Sequence, residues 1–231
     1  MSSVGMGLIG LGTVGSGVIK VIKQNQRRIA ERVGAELKFE SYCDKFIRSK
    51  PELGIKPSQV TQDYRELLRN DSIQIIVELI GGYEPARTII LESLKAGKHV
   101  VTANKAVLAK YWDEILQTAE RHSRLIYFEA AVGGGIPVIQ GLNEGLAANK
   151  ISKIAGILNG TTNYILTRMT EDGLSFAQAL KQAQSSGFAE ADPTFDIEGI
   201  DSAHKLAVLS SIAFGGWTKI SDVYTEGISN L

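Results

Sequence analysis

Short apolar runs alternate with longer amphipathic segments in the first half of the chain. The apolar runs predict strands, at Val4–Ile9, Leu37–Cys43, Ile73–Ile80, His99–Thr102 and Arg124–Glu129. The segments between them repeat apolar residues at helical spacing and predict helices, at Thr13–Arg32, Pro85–Ala96 and Ala106–His122. Because strands and helices alternate, and the run over residues 73–80 is apolar almost throughout, the pattern predicts a parallel sheet covered on both faces.

The pattern changes near residue 130, where the glycine-rich segment AAVGGGIP follows the last of these strands. A short helix is predicted after Pro137, followed by a single strand at Lys153–Leu158. Helical periodicity then returns in three segments, Thr161–Thr170, Ser175–Ser186 and Gly199–Phe214. We therefore expect a domain boundary close to Gly133. An α/β domain over residues 1–132 precedes an α+β domain over residues 133–231, which has too few strands for a complete sheet.

Composition narrows the possible classes of function. The chain has 231 residues, of which 25 are Lys or Arg and 25 are Asp or Glu, so its formal net charge is zero. This balance predicts no nucleic-acid or membrane partner. The one cysteine, Cys43, rules out an internal disulfide and is expected to be a small buried residue. The N-terminal segment does not resemble a signal peptide, and no apolar run is long enough for a membrane helix, so the expected location is the cytoplasm.

Residues 10–15 have the sequence GLGTVG, directly after the first predicted strand and at the start of the first predicted helix. Glycines at this spacing permit a tight turn and let the backbone approach a pyrophosphate, while the helix N-terminus supplies free N–H groups. In this context the motif predicts a Rossmann-type dinucleotide-binding domain, and a glycine turn without a ligand is the less favoured alternative. The residues expected to contact the cofactor here are Gly10, Gly12, Thr13, Val14 and Gly15.

An acidic residue, Asp44, ends the second predicted strand. In dinucleotide-binding domains an acid near this point binds the ribose 2′-hydroxyl of NAD. Lys45 and Arg48 follow closely, and their charges suit the 2′-phosphate of NADP. The sequence therefore predicts NADP or NAD as cofactor and leaves the choice between them open.

The fourth predicted strand ends at Thr102, and the next helix begins near Asn104 and Lys105. Ligands of open α/β sheets bind beyond the carboxyl ends of the strands, so we expect these residues near the cofactor, with Lys105 at its nicotinamide end. A lysine at a helix N-terminus is electrostatically unfavourable, which favours a functional role. A solvated lysine without such a role remains the alternative.

Acidic residues recur in the second predicted domain. The loop GFAEADPT contains Glu190, while Asp201 and Lys205 are four residues apart, on one face of the last helix. That face continues into apolar positions, so the pair is expected to be partly buried. A catalytic pair and a structural ion pair both satisfy this pattern. His204 is expected at the surface or behind the site, and the histidines are too scattered for a metal site.

Six segments together resemble the homoserine dehydrogenase family. They are GLGTVG, TANKAVLA, FEAAVGGGIP, GILNGTTNYILTRM, GFAEADPT and DIEGIDSAHKLAVL, and they follow the family's order across nearly the whole chain. The NGTTNYI and AEADPT segments are highly specific for the family. The resemblance implies an NAD(P)-dependent oxidoreductase that interconverts L-homoserine and L-aspartate 4-semialdehyde, on the biosynthetic branch to threonine and methionine.

The resemblance also implies roles for individual residues. Lys205 and Lys105 match the family's lysines at the reacting centre, and Glu190 and Asp201 match its substrate-binding carboxylates. The family's loop between cofactor and substrate corresponds to Asn159, Gly160 and Thr161. A site for a monovalent cation, usually sodium, corresponds to the backbone carbonyls of Glu129, Val132, Gly134 and Ile136.

Members of the family continue past the position that matches Leu231, so the resemblance implies a C-terminally truncated second domain. It also implies a homodimer formed through that domain. A related semialdehyde or aspartate dehydrogenase is one alternative, although the second half gives it no support. A phosphorylating or acylating enzyme would need a catalytic cysteine, and Cys43 is misplaced for that. A non-catalytic fragment that only binds the nucleotide is the other alternative.

Overall fold

The computed structural model describes residues 2–47 and 49–231. The chain forms two compact units, Met1–Ala131 and Val132–Leu231. Arg48, the candidate partner of a 2′-phosphate, lies outside the described residues. The roles assigned to the two predicted domains remain predictions.

The first unit is built on a six-stranded sheet whose strand pairs are all parallel. The strands are β1 (Ser2–Ile9), β2 (Ala35–Cys43), β3 (Val60–Thr61), β4 (Ile75–Glu78), β5 (His99–Thr102) and β6 (Ile126–Tyr127). Their order across the sheet is β3-β2-β1-β4-β5-β6, which is the doubly wound order of dinucleotide-binding domains. The predicted Rossmann-type α/β fold is therefore confirmed. Its switch point lies between β1 and β4, where such domains bind their ligand.

The central strands are buried on both faces, as the apolar run in β4 predicted. Leu8 and Val77 pack with Ile19 on one face of the sheet. Ile9 and Ile76 pack on the other face. Neighbouring residues of a strand point to opposite faces, so each strand contributes to two hydrophobic clusters. This double packing fixes the carboxyl ends of β1 and β4, from which the candidate site is built.

In the described part of this unit the α-helices are α1 (Thr13–Gln24), α2 (Gln26–Val33), α3 (Tyr64–Arg69), α4 (Ala86–Lys95) and α5 (Lys105–Arg121). The prediction of one continuous helix after the glycine loop is wrong, because the helix breaks at Asn25, where φ is −113°. The Asn25 side chain donates to the Val21 carbonyl at 2.9 Å. Asparagine side chains compete in this way for backbone partners and favour helix ends.

Helices and loops make up the second unit. The helices are α6 (Val138–Gln140), α7 (Gly160–Asp172), α8 (Phe176–Ser185), α9 (Thr194–Ile197) and α10 (Ile200–Ala213). The strand predicted at Lys153–Leu158 is wrong, because residues 151–159 form neither helix nor strand. A strand requires a hydrogen-bonding neighbour, and no described segment pairs with this one. Across the described part of the chain, no helix combines the length and the apolar character needed to span a membrane.

Candidate active site

The glycine loop between β1 and α1 requires glycine for steric reasons. Gly10 has a φ of +103°, and a Cβ on Gly15 would lie 2.0 Å from the Gly10 carbonyl oxygen. Gly12, by contrast, has no heavy atom within 4 Å of an added Cβ. Thr13 and Val14 are exposed at the start of α1, and no side chain in the described part of the chain caps that helix. Open space in front of free N–H groups at a helix N-terminus fits a pyrophosphate.

Asp44 follows β2 and binds three backbone N–H groups. One carboxylate oxygen accepts from Leu11 at 2.7 Å, and the other accepts from Phe46 and Ile47 at 2.9 Å each. Burial alone would raise the pKa of Asp44, but hydrogen bonds from Ile47, Leu11 and Phe46, with the charge of Lys50, lower it. The carboxylate therefore anchors the glycine loop to the end of β2. The contact of Asp44 with a ribose hydroxyl remains a prediction. It is compatible with the three hydrogen bonds, because a carboxylate has about four lone-pair sites and can accept a further one.

Cys43 is the last residue of β2 and is buried, with 5% of its surface exposed. Burial, followed by the charges of Asp44, Asp63 and Glu66, raises the pKa of its thiol to about 12. A thiol with such a pKa is unreactive near neutral pH. The expectation of a small buried residue is confirmed.

Thr102 and Asn104 belong to a hydrogen-bonded network at the carboxyl ends of β4 and β5. The Thr102 hydroxyl donates to the Glu78 carboxylate at 2.6 Å and accepts from the Asn104 N–H at 3.0 Å. The Asn104 amide donates to the Gly82 carbonyl at 2.7 Å, and its oxygen caps α5. Both side chains are buried and hold the loop together. Lys105, the first residue of α5, is half-buried at the end of that loop.

Asp201 and Lys205 form an ion pair on α10, at the spacing recognised in the sequence. The lysine Nζ lies 2.6 Å from the aspartate Oδ2, and the two side chains are only 19% and 8% exposed, respectively. The same Nζ donates to the Leu158 carbonyl at 2.8 Å. Buried ion pairs need such additional hydrogen bonds, because desolvation of two charges otherwise exceeds their attraction.

Asn159 joins this ion pair to a second carboxylate. Its Nδ2 donates to Asp201 at 2.9 Å and to Asp196 at 2.6 Å. Its oxygen accepts from the Thr162 N–H at 2.8 Å and so caps α7. Because both carboxylates require a donor, the contacts fix which end of the amide faces them. The result is a chain of polar groups that runs from Asp196 through Asn159 and Asp201 to Lys205.

The start of α7 is tied to the loop that carries Glu190. The Thr161 hydroxyl, next to Gly160, donates to the Phe188 carbonyl at 2.6 Å. The rings of Tyr164 and Phe188 stack with their centroids 4.6 Å apart. The Glu190 side chain is exposed, and none of the described residues hydrogen-bonds to its carboxylate. Glu190 is thus available to a ligand but is not part of the Asp201–Lys205 network.

His204 is buried, with 1% of its surface exposed. Of the two positions expected for it, the surface is therefore wrong, and a position behind the site stays a prediction. Its ring lies against Phe195, with centroids 6.3 Å apart. Its neighbours on α10, among them Ala203, Ala207 and Val208, are buried as well. In the described segments no group of three or more His, Cys, Asp or Glu residues has the arrangement of a metal site.

The predicted cation ligands fall on both sides of the division between the units. Glu129 belongs to the first unit, whereas Val132, Gly134 and Ile136 belong to the second. Gly134 has a φ of +59°, and the Ile136 carbonyl already accepts from the Val138 N–H at 2.8 Å. Backbone carbonyls are ligands that a hard cation prefers. The cation site remains a prediction.

Comparison with known proteins matches both units to one protein family. A family profile described as homoserine dehydrogenase, NAD binding domain, matches residues 10–129, and one described as homoserine dehydrogenase matches residues 137–231. The chain belongs to the homoserine dehydrogenase family. The resemblance carried by the six sequence segments is therefore confirmed, and the first unit contains the NAD-binding domain of that family.

Individual members of the family resemble this chain over its whole length. The homoserine dehydrogenase of Neisseria gonorrhoeae is 47% identical over 232 residues, which is 100% of this chain and 53% of that protein. The crystal structure of one from Thiobacillus denitrificans matches with a TM-score of 0.94 at 47% identity, covering 100% of this chain and 53% of that chain. The crystal structure of a homoserine dehydrogenase from Thermoplasma acidophilum matches with a TM-score of 0.82 at 26% identity, covering 100% of this chain and 75% of that chain. The chain spans about half the length of the curated relatives it matches.

The sequence patterns did not identify two acidic residues of this chain. Glu78 had a signal, because it is the one charged residue in an otherwise apolar strand. Asp196 had none, because it lies among other acids, such as Asp192 and Glu198, that do not join the network around Asp201. Only its contact with Asn159, 37 residues away, identifies it.

Proposed function

We propose that the chain catalyses the reversible NAD(P)-dependent interconversion of L-homoserine and L-aspartate 4-semialdehyde. The observation that carries the proposal is the buried pair of Lys205 and Asp201, with 2.6 Å between the charged atoms. The pair holds one proton at a defined position, the Nζ of Lys205. Reduction of an aldehyde, or oxidation of an alcohol, requires a group that donates or accepts a proton at such a position. The names of the relatives, all homoserine dehydrogenases, support this choice of substrate.

The chemistry assigned to Lys205 follows from where charge develops. During reduction of an aldehyde, negative charge accumulates on its oxygen, and the Lys205 ammonium stabilises that charge and donates a proton to the oxygen. In the oxidative direction, neutral Lys205 accepts the proton of the hydroxyl. Asp201 and the Leu158 carbonyl hold Nζ in position in both directions. Nicotinamide, when bound, supplies or accepts the hydride.

Substrate binding is assigned to the acidic residues and to the start of α7. The substrate carries an ammonium group, and the exposed carboxylate of Glu190 is suited to bind it. Asp201 is assigned to the hydroxyl end, next to Lys205. Gly160 and Thr161, with Asn159 behind them, form the loop between substrate and cofactor. Fixing both ends of a small substrate restricts its orientation, which is a large part of catalysis by proximity.

Cofactor binding is assigned to the first unit. The pyrophosphate is held by the glycine loop, and Asp44 binds the ribose. Thr102, Asn104 and Lys105 lie at the nicotinamide end, with Lys105 contributing positive charge to the reacting centre. Lys45 is exposed beside Asp44, so NADP and NAD both remain candidates. A sodium ion on the carbonyls of residues 129, 132, 134 and 136 and a homodimer through the second unit complete the proposal.

The role of Lys205 is tested by its replacement with alanine. Loss of a general acid–base group lowers turnover by about 100-fold or more, so Lys205→Ala is expected to lower kcat to that extent and to leave the Kd for NADPH unchanged. Lys181→Ala is the matched control, because Lys181 is an exposed lysine of α8 in the same unit. Near-normal turnover of Lys205→Ala would eliminate Lys205 as the proton donor.

A nucleotide-binding fragment without catalytic activity is the second candidate. The observation behind it is that the chain corresponds to 53% of the Neisseria relative. It predicts that the purified chain binds NADPH or NADH but forms neither from homoserine. Turnover measured beside binding distinguishes the two candidates.

A further inference from the structure

Glu78 is a fully buried carboxylate at the carboxyl end of β4, with 0% of its surface exposed. It accepts from the Thr102 hydroxyl at 2.6 Å and from the Ile80 N–H at 2.8 Å. Burial raises the pKa of Glu78, although hydrogen bonds from Thr102, Ile80 and Gly81 partly oppose this. Burying a carboxylate is costly compared with burying an apolar side chain. A role beyond packing is therefore expected for it.

The hydrogen bonds of Glu78 join two loops that follow neighbouring strands. Residues 80–82 follow β4, and residues 103–105 follow β5. Glu78 binds N–H groups of the first loop and the Thr102 hydroxyl, which in turn accepts from Asn104 in the second loop. Asn104 completes the connection by donating to the Gly82 carbonyl at 2.7 Å. The two loops are thereby connected twice, through Glu78 and Thr102 at the strand ends and through Asn104 and Gly82 beyond them.

The loop after β4 lies at the switch point of the sheet, and the loop after β5 is bound to it through Asn104. A Cβ on Gly10 would lie 2.8 Å from the Leu79 carbonyl oxygen, so the segment after β4 adjoins the glycine loop. Gly81 and Gly82 have φ values of +73° and +70°, a conformation that glycine adopts readily, and a Cβ added to either would meet no heavy atom within 4 Å. Such a segment needs hydrogen bonds to keep one conformation.

We propose that Glu78 is a positioning residue for the dinucleotide, which keeps the loops after β4 and β5 in the arrangement that receives the cofactor. This role rests on the proposed NAD(P)-dependent function. Glu78 acts through Thr102, Asn104 and the backbone of residues 80–82, and it does not itself contact the reacting atoms.

The test is the isosteric substitution Glu78→Gln. Glutamine offers one oxygen where the carboxylate offers two, so at least one of the present donors loses its acceptor. Loss of one buried hydrogen bond corresponds to about a tenfold change in an equilibrium constant. We expect the Kd for NADPH or NADH, titrated separately by calorimetry, to rise about tenfold. Thr102→Val removes the hydroxyl from the same network, and its Kd is expected to rise in the same way.

The matched control is Lys98→Met, at the opposite end of the same two strands. Lys98 is 6% exposed and precedes β5, and its Nζ donates to the carbonyls of Asn70 and Ile73, which precede β4. Lys98→Met breaks a buried polar connection there, so it should lower Tm and leave the Kd within about twofold of wild type. The proposal is overturned if Glu78→Gln and Thr102→Val behave like Lys98→Met, that is, if they lower Tm and leave the Kd within about twofold of wild type. A folded wild-type chain that binds neither nucleotide would instead refute the cofactor assignment, and this role with it.

Discussion

The ion pair on α10 makes a quantitative prediction about stability that does not depend on turnover. Asp201→Asn removes one charge and leaves the Lys205 ammonium beside the Leu158 carbonyl, with 19% of the lysine side chain exposed. Removing one partner of a buried pair destabilises a protein by about 3–5 kcal/mol. The lysine retains some contact with water, so we expect a value near the lower limit, about 3 kcal/mol.

The reciprocal variant and the double variant complete the thermodynamic cycle. Lys205→Met leaves the Asp201 carboxylate, which is 8% exposed, without its charged partner, although Asn159 still donates to it. This variant is expected to cost about as much as Asp201→Asn. The double variant removes both charges, so it leaves no buried charge without its partner. Its destabilisation should be smaller than the sum of the single variants by about 2 kcal/mol.

Urea unfolding is the suitable assay, because guanidinium chloride would screen the charges under study. Trp217 lies in the second unit and Trp112 in the first, so tryptophan fluorescence in a Trp112→Phe background follows the unit that contains the pair. The account of a buried, mutually dependent pair would be refuted if each single variant lowered the free energy of unfolding by less than about 0.5 kcal/mol and the double variant lowered it by the sum of the two.

Two further predictions concern the first unit. Gly15→Ala should lower both Tm and nucleotide affinity, because the added Cβ would lie 2.0 Å from the Gly10 carbonyl oxygen. Gly12→Ala should keep Tm but raise the Kd for NADPH at least about tenfold, because its methyl group fills open space at the proposed pyrophosphate site. An unchanged Kd for Gly12→Ala would place the pyrophosphate elsewhere. The folded pKa of Asp44 is lowered, so its stabilisation is present above the unfolded pKa of about 3.9 and is lost as pH falls through the folded pKa. Asp44→Asn should therefore lower the urea midpoint at neutral pH, with a difference from wild type that shrinks in acid, and a difference independent of pH would contradict this.

Local sequence signals were sufficient for much of the fold and for part of the site. The glycine loop was recognisable because two of its glycines, Gly10 and Gly15, meet backbone atoms that leave no room for a side chain. The central strands were recognisable because burial on both faces requires continuous apolar runs. The pair of Asp201 and Lys205 was recognisable because four residues make one turn of a helix, whatever the helix packs against.

Features that depend on distant parts of the chain were not recognisable. The charge of Glu78 stands out in its strand, but its partner Thr102 lies 24 residues later and no local pattern identifies it. Asp196 is identified only by its contact with Asn159, 37 residues earlier. The apolar segment at residues 153–158 reads as a strand by composition, yet strand formation depends on a partner that the segment itself does not specify. The short β3 and α3, of 2 and 6 residues, are below the length at which periodicity gives a signal.

The central claim is that this chain oxidises homoserine with a nicotinamide cofactor. The most direct measurement is the initial rate of NADPH or NADH formation, followed by absorbance, with the purified chain, L-homoserine, and NADP or NAD in separate assays. The account predicts nucleotide reduction that requires L-homoserine and is lost in Lys205→Ala. A folded chain that binds either nucleotide but shows no homoserine-dependent reduction with both would contradict the claim and would favour the nucleotide-binding fragment.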